Sequence, residues 1–338
     1  MLPVTVIIPA RNEAENVARL IESLKNQNKP PQEIIVVDAG STDNTAEVAR
    51  GAGARVIRVD KAYPGQARNI GIVHAHYDIL AFWDASMWVA PHTLSALVEP
   101  LLSGEADLVQ GTLDIRPKTV ASQLFFLVLH PPYSRSLPEG VFLQTPPVAC
   151  TALRKVLWEK VGGFKPWRAR EDSDFRQRVE SIGIRTLLCT HALTIWEPAE
   201  RTFPLLRKIK TYGRHNLLSG KPQAWYGGLL RTYGVYLLLS LPVAFWKGNT
   251  AVIVFFIATM LMGGFFRTLY KIFQYGSYFR EKLGGRPYHP FTVIQAWALL
   301  LAADVASFMG AVEWLFFDLF KLHPERFPEP ILLSDSQE

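Results

Sequence analysis

The sequence predicts an α/β protein built on a mostly parallel sheet and followed by a block of apolar helices. Three observations carry that reading. Short apolar runs alternate with amphipathic stretches between Val4 and Asp84; two of these runs end in aspartate, at Asp38 and Asp84; and nearly all long apolar runs lie after Leu229. Bounded apolar runs of this length read as strands covered on both faces. Strands alternating with helices through short links form parallel sheets under right-handed crossovers.

The elements follow in order. Val4-Thr5-Val6-Ile7-Ile8-Pro9 is a first strand, stopped by proline. A helix from Glu15 to Asn26 places Val17, Leu20, Ile21 and Leu24 on one face. Glu33 to Asp38 is a second strand, Ala39 to Asn44 a turn, and Thr45 opens a helix carrying Ala46, Val48 and Ala49. Arg55–Val59 is a third strand; Gly65 starts the helix that leads to the run Ile79–Asp84. A helix over His92–Leu102 and a strand over Ala106–Gly111 come next.

Ligands of open α/β sheets bind beyond the carboxyl ends of the strands. Three strand ends here carry polar groups: Arg11 and Glu13, then Asp38, then Asp84. Side by side they form one acidic, hydrogen-bond-accepting edge; the bland reading of Asp84 is a strand-ending turn or helix cap. No Gly-x-x-x-x-Gly-Lys is present, and Gly51-Ala52-Gly53 precedes a strand, so neither a P-loop nor a dinucleotide turn holds phosphates. Arg68, near a helix start, is the phosphate candidate through its charge and fork of donors, with a surface arginine as the alternative.

At 338 residues the chain exceeds the size of one core, so two units are expected. Hydrophobic residues make up 49%, charged ones 20%, and the net charge is +6. Basic residues crowd between Arg201 and Arg231 and between Arg267 and Arg286, beside apolar runs, which fits anionic lipid rather than nucleic acid. No RNA-binding or helix-turn-helix pattern appears, so no nucleic-acid partner is expected. Two cysteines, Cys150 and Cys189, exclude a disulfide framework and a zinc site. The N-terminus opens straight into strand, and no cleaved signal is expected.

Val6-Ile7-Ile8-Pro9-Ala10-Arg11-Asn12-Glu13, Val36 to Thr45, and Ala67-Arg68-Asn69-Ile70-Gly71 resemble the family 2 glycosyltransferases, inverting enzymes of the GT-A fold that use nucleotide-sugar donors. The resemblance covers roughly residues 3 to 200. It implies that Pro9, Glu13 and Asp38 line the base and ribose pocket, with Arg11 beside them. It makes Asp84-Ala85-Ser86 the counterpart of the family's Asp-x-Asp, which meets the ribose and a divalent cation. The chain departs from that pattern twice: Ser86 replaces the second aspartate, and Trp196-Glu197 stands where many relatives have a histidine. Serine is a weak ligand for a hard cation. Either Mg²⁺ or Mn²⁺ binds through Asp84 and the diphosphate alone, or Arg68 and other basic groups take over part of the role.

Ser122 to Leu129 fits an interfacial helix and ordinary core equally well. Pro146 to Arg154 resembles the family's acceptor-side strand, which puts Cys150 on the acceptor side with Arg170 and Trp196. Val161-Gly162-Gly163-Phe164 matches the glycine turn before the catalytic carboxylates. Arg168 to Arg176 is an acidic cluster flanked by arginines at a helix start, with Phe175, Val179 and Ile182 facing inward. Helix capping is its bland reading. By resemblance it is the Glu-Asp pair: Asp172 the general base, Glu171 its supporting neighbour. Close packing of the acids Glu171, Asp172 and Asp174 raises a carboxyl pKa towards the useful range.

Arg207 to Asn216 is a basic amphipathic stretch suited to anionic headgroups. The Gln-x-x-Arg-Trp-like motif of processive relatives is missing, so transfer of a single sugar is expected. Three apolar runs follow, Leu229–Trp246, Ala251–Phe266 and Pro290–Phe320; the first two read as a helical hairpin. The third contains Asp304 and Glu313, whose charges are costly in a bilayer unless they face protein or water; a re-entrant or interfacial helix pair is the alternative there. The domains are then a GT-A domain over 1–200, an interfacial segment over 201–228, membrane helices over 229–320 and a tail over 321–338. Flanking lysines and arginines place a multi-pass protein in the cell membrane with its catalytic domain cytoplasmic. The expected partners are a nucleotide-sugar donor, the bilayer, and a membrane lipid or lipid-linked acceptor. The rival readings are polyprenyl-phosphate sugar synthesis, whose anionic nucleophile needs no base, and a non-catalytic nucleotide-binding scaffold.

Overall fold

The computed structural model describes residues 1–128, 148–198, 201–247, 249–282 and 290–320. Pro146-Pro147, the Gly248 link, the basic residues up to Arg286 and the tail over 321–338 fall outside these in whole or part. The chain divides into two compact units, one of residues 1–116 and 148–197, the other of 117–128 and 198–320.

The elements of the first unit begin with β1 (Leu2–Ala10), α1 (Val17–Lys25), β2 (Pro31–Ala39), α2 (Thr45–Gly51), β3 (Arg55–Val59), α3 (Pro64–Val73), β4 (Ile79–Phe82), β5 (Met87–Val89), α4 (Thr93–Leu102) and β6 (Leu108–Ile115). One helix of the second unit, α5 (Val120–Val128), intervenes in the chain. Then come β7 (Thr151–Arg154), α6 (Lys155–Val161), α7 (Glu171–Glu180) and β8 (Thr186–Trp196).

The eight strands form one sheet in the order β3-β2-β1-β4-β7-β6-β8-β5. The half read from strand-helix alternation is parallel, β3 through β4. The other half is mixed: β7 runs antiparallel to both its neighbours, β6 and β8 are parallel, and β5 closes the edge antiparallel. Period-two alternation assigns the strand residues to two faces. Val4, Val6 and Ile8 pack with α1 and α4, through Leu20, Leu24, Leu97 and Leu101. Ile7, Leu80 and Phe82 pack on the other face with Phe164, Phe175 and Val179. Burial of these apolar residues, at about 25 cal/mol per Å² removed from water, is the main force holding the layers.

β1 lies between β2 and β4, with Ala10 beside Asp38 and Ile7 beside Phe82. Parallel direction therefore puts the segments after all three strands on one edge. α7 differs from expectation at its end: the helix stops at Glu180 and Ile182 is 46% exposed. Its apolar inward face is Phe175 and Val179, with Glu171 and Arg176 buried beside them.

The second unit continues with α8 (Thr202–Leu218), α9 (Gln223–Lys247), α10 (Asn249–Lys282) and α11 (Pro290–Glu313), which runs on into a π-helical turn over Trp314–Leu319. Among the described residues two stretches are long and apolar enough to cross a membrane, Ile253–Phe273 and Pro290–Leu319. α8 is not a free amphipathic segment: Leu205, Ile209 and Gly213 form a buried face. It crosses α11 at glycines, because a Cβ on Gly310 would meet the Lys210 carbonyl oxygen at 2.2 Å. Lys210 Nζ reaches Glu313 at 2.6 Å, and Arg214 grips Asp318 through both oxygens at 2.7 and 2.9 Å. Asp304, 2% exposed, accepts from Arg267 at 3.0 Å and from the Tyr233 hydroxyl at 2.8 Å. The charges that made the third apolar run ambiguous are thus paired inside this unit.

Candidate active site

The site is organised by a contact between α3 and the turn that precedes α7. Gly162 and Gly163 both adopt left-handed backbone, at φ 75° and 70°, which turns the chain sharply after α6. Asn69 on α3 fastens that turn. Its Oδ1 accepts from the Phe164 backbone N–H at 2.9 Å and the Trp158 indole at 2.8 Å, while its Nδ2 donates to the Phe164 carbonyl at 2.9 Å. Phe164 then stacks on Phe175 with ring centres 4.1 Å apart. Gly65 leaves no room for a side chain, since a Cβ there would sit 2.8 Å from the Lys165 carbonyl and 3.0 Å from Glu171 Cγ. These contacts lay the first turn of α7 against the first turns of α3.

Arg68 consequently lies inside the protein, not on its surface: it is 4% exposed. Its guanidinium joins two elements, donating to Asp84 Oδ1 at 2.8 Å and to Glu171 Oε1 at 3.3 Å. Its Nε is buried without a hydrogen-bond partner. The Glu171 carboxylate is sealed, whereas the Asp84 side chain is 41% exposed. Asp172 is half-buried and accepts the Ser173 backbone N–H at 2.7 Å. Burial first, and the neighbouring Asp172 second, push the Glu171 carboxyl up to about 7, with Arg68 working against them. Asp172 is raised as well, by burial and by Asp84, against the pull of Arg68 and the Ser173 N–H.

The nucleotide-side residues expected from the strand ends are distributed as follows. Pro9 does not stop β1, which runs on to Ala10; it pairs with Val37, and Arg11 is exposed just beyond the strand. Asn12, at φ 55°, ties the β1 end to the turn after β2: its N–H donates to Ser41 Oγ at 2.9 Å and its Oδ1 accepts the Thr42 N–H at 2.8 Å. The Glu13 N–H donates to Thr45 Oγ1 at 2.8 Å, and its carboxylate accepts from Asn16 at 2.8 Å. Asp38 is on the same edge but 1% exposed, covered by Ser41 and by Arg58 at 3.6 Å. Arg58 was not singled out from the sequence; its register position opposite Asp38 on β3 is what places it there.

Three acceptor-side expectations separate. Arg170 caps α7 in left-handed backbone at φ 67°, next to Glu171. Trp196 ends β8, paired with Met87. Cys150 is a correction: it is 0% exposed in the core, its thiol against the Ala192 carbonyl and its backbone N–H bonded to Phe82. Burial pushes that thiol up to about 12, so Cys150 contributes packing and no reactive group.

The donor set does not make a cation centre by itself. Asp84 is the one carboxylate of its strand-end turn, its Oδ1 is engaged by Arg68, and Ser86 is neutral. Among the described residues no three His, Cys, Asp or Glu side chains group to hold a metal ion.

Residues 5–129 match the family model Glycosyl transferase family 2. Over 129 residues the chain is 33% identical to the 4,4'-diaponeurosporenoate glycosyltransferase of Staphylococcus aureus. That match covers 36% of this chain and 33% of the relative, about a third of its length. Solved structures that resemble the chain include S. aureus TarS 1-349 in complex with UDP-GlcNAc, at 15% identity, 93% of this chain, 92% of that one and a TM-score of 0.47. Another is a mannosyltransferase of Pyrobaculum calidifontis in complex with GDP-Man and Mn²⁺, at 18% identity, 94% and 88% coverage and a TM-score of 0.49. Over residues 5–129, then, the chain is similar to glycosyl transferase family 2.

Proposed function

We propose that the protein is a membrane-anchored, inverting glycosyltransferase that moves one sugar from a nucleotide-sugar donor to a hydroxyl of a lipid or lipid-linked acceptor. The observation that carries this reading is the meeting of Arg68, Asp84, Glu171 and Asp172 at the strand edge of a family 2 domain. Asp84 and Asp172 are the two carboxylates of the cluster open to solvent, one on the strand end and one on the helix. Asp172 takes the proton of the acceptor hydroxyl as that oxygen bonds to the sugar's anomeric carbon. The bond from that carbon to the diphosphate breaks on the opposite face, and the nucleoside diphosphate leaves with the electron pair. A raised carboxyl pKa brings the base towards the pH at which general-base catalysis is efficient. Pro9, Arg11 and Glu13 serve the base and ribose, with Asp38 behind them holding the Ser41 turn, and Arg68 and Asp84 serve the diphosphate side. Among the described residues Asp84 is the carboxylate that would hold a divalent cation, which would offset the charge of the diphosphate.

The two apolar stretches Ile253–Phe273 and Pro290–Leu319 support anchoring in a membrane, and the lysines and arginines of the sequence before Leu229 and over 267–286 support a cytoplasmic catalytic domain. The name of the Staphylococcus aureus relative supports an acceptor of lipid character. Polyprenyl-phosphate sugar synthesis is less well supported, because its nucleophile brings no proton for Asp172 to take. The test is full-length protein in lipid nanodiscs, offered UDP-glucose, UDP-GlcNAc and GDP-mannose, with and without extracted lipid. Lipid-stimulated release of nucleotide, lost in Asp172→Asn with nucleotide binding retained, is the expected result. An Asp172→Asn protein as active as the parent removes the assignment.

A further inference from the structure

Glu171 stands out because nothing open to solvent needs it and yet it is enclosed with charge. Three carboxylates, Asp84, Glu171 and Asp172, surround one buried guanidinium, Arg68. Arg68 binds Asp84 at 2.8 Å and Glu171 at the longer 3.3 Å. The other groups facing Glu171 are Arg168, in the turn before α7, and Asp172, its neighbour in the chain. The Lys165 carbonyl and Phe164 flank the same space at Gly65, and neither brings a positive charge. With all three acids ionised, the cluster carries more negative than positive charge, in a place that on the proposed reading must receive a diphosphate. Buried charge without a full partner is resolved in proteins by neutralisation.

We propose that Glu171 is a positioning residue that works as the neutral acid. Its protonated carboxyl leaves Arg68 compensated by Asp84 alone and able to turn charge towards the donor's diphosphate, while Asp172 remains the single anion that the helix adds to the cluster. This rests on the glycosyltransferase reading and goes beyond it by giving Glu171 a charge state and a task. The raised carboxyl of Glu171, about 7, supports the geometry. Two consequences follow. Glutamine, the neutral isostere, replaces Glu171 with its function kept. And ionisation of Glu171 in the parent protein weakens donor binding above neutral pH, through KM for the donor and not through kcat.

The experiment is steady-state transfer by full-length protein in nanodiscs, between pH 6 and 9, for the parent, Glu171→Gln and Glu171→Ala, using the donor that supports lipid-stimulated release. In the parent, KM is expected to rise several-fold from pH 6.5 to 8.5. In Glu171→Gln it is expected to stay flat, with kcat within about threefold of the parent, whereas Glu171→Ala loses activity because the Arg68 contact and the packing against Gly65 go together. Glu171→Gln as inactive as Asp172→Asn, with the parent active, overturns the proposal and leaves the glycosyltransferase reading standing. A Glu171→Gln profile that keeps the parent's rise in KM overturns it equally. A folded parent that releases nucleotide from none of the donors overturns both.

Discussion

The helical unit and the candidate site of the sheet unit treat charge in opposite ways. In the helical unit Asp304, Glu313 and Asp318 each have their own base: Arg267, Lys210 and Arg214 in turn. In the sheet unit three acids share one sealed arginine, Arg68, and one of them, Asp84, keeps a side open to water. One-to-one pairing neutralises charges so that apolar helices can bury them. An unbalanced cluster is an energetic cost that packing alone does not require, and perturbed carboxyls concentrate at functional sites. The difference between the units separates side chains that hold the fold from side chains that carry chemistry.

The sharpest way to break this comparison is to neutralise one acid in each unit. Asp172→Asn is expected to lower transfer by about 10²- to 10⁴-fold, the usual worth of a positioned general base, with the melting temperature unchanged or raised. Enzyme assay and thermal denaturation of the same preparation read both. Asp304→Leu is expected to do the reverse. Arg267, whose side chain is 30% exposed, loses its carboxylate partner, so stability falls by about 1–3 kcal/mol, while protein that remains folded transfers sugar normally. Arg267→Leu combined with Asp304→Leu recovers most of that loss, because a well-packed apolar pair replaces a buried ion pair at little cost. Thermal stability in detergent compares the three; a double variant as unstable as the single would show that Asp304 has a role beyond neutralising Arg267.

A smaller effect separates the units by pH. The folded protein holds the Glu171 carboxyl at about 7, against an ordinary value of 4.5. A carboxyl raised on folding favours the native state while protonated, so its contribution is full below 4.5 and is lost as pH rises through 7. The melting temperature of the parent is therefore expected to fall by a few °C more than that of Glu171→Gln between pH 5 and 8. Equal slopes for the two proteins would mean that Glu171 is ionised throughout.

Much of this was legible in the sequence, and the remainder was not for a physical reason. The parallel half of the sheet was readable because its strands are covered on both faces and write uninterrupted apolar runs such as Ile34-Ile35-Val36-Val37. β8 was not, because Thr186–Trp196 is only partly covered and mixes threonine, histidine and cysteine with its apolar residues. The charge of Arg68 and its place at a helix start were visible. Its burial was not, since its partners lie 16 and 103 positions away in the chain. Asn69 stood inside a recognised motif without a task, because the turn that it fastens is 95 residues distant. Cys150 misled for the complementary reason: a motif position says which strand a residue occupies, and only the fold says which face the thiol takes.

The mildest perturbation tests the one-to-one pairs against each other. The Lys210 and Glu313 side chains are 29% and 31% exposed, whereas Arg214 and Asp318 are 16% and 8% exposed and make two hydrogen bonds where the first pair makes one. Exposed ion pairs are screened by water and are typically worth about 0–1 kcal/mol. Lys210→Met should therefore shift the melting temperature by no more than a few °C at low salt, and the shift should shrink further as salt is added. Arg214→Met should cost more and respond less to salt, because Asp318 is left enclosed with no donor in place of its fork. If the two substitutions proved equal, the crossing of α8 and α11 would be held by its glycine contact at Gly310 rather than by these charges. Gly310→Ala would then be the change that separates the helices, its Cβ meeting the backbone of α8 at the Lys210 carbonyl and the Arg214 nitrogen.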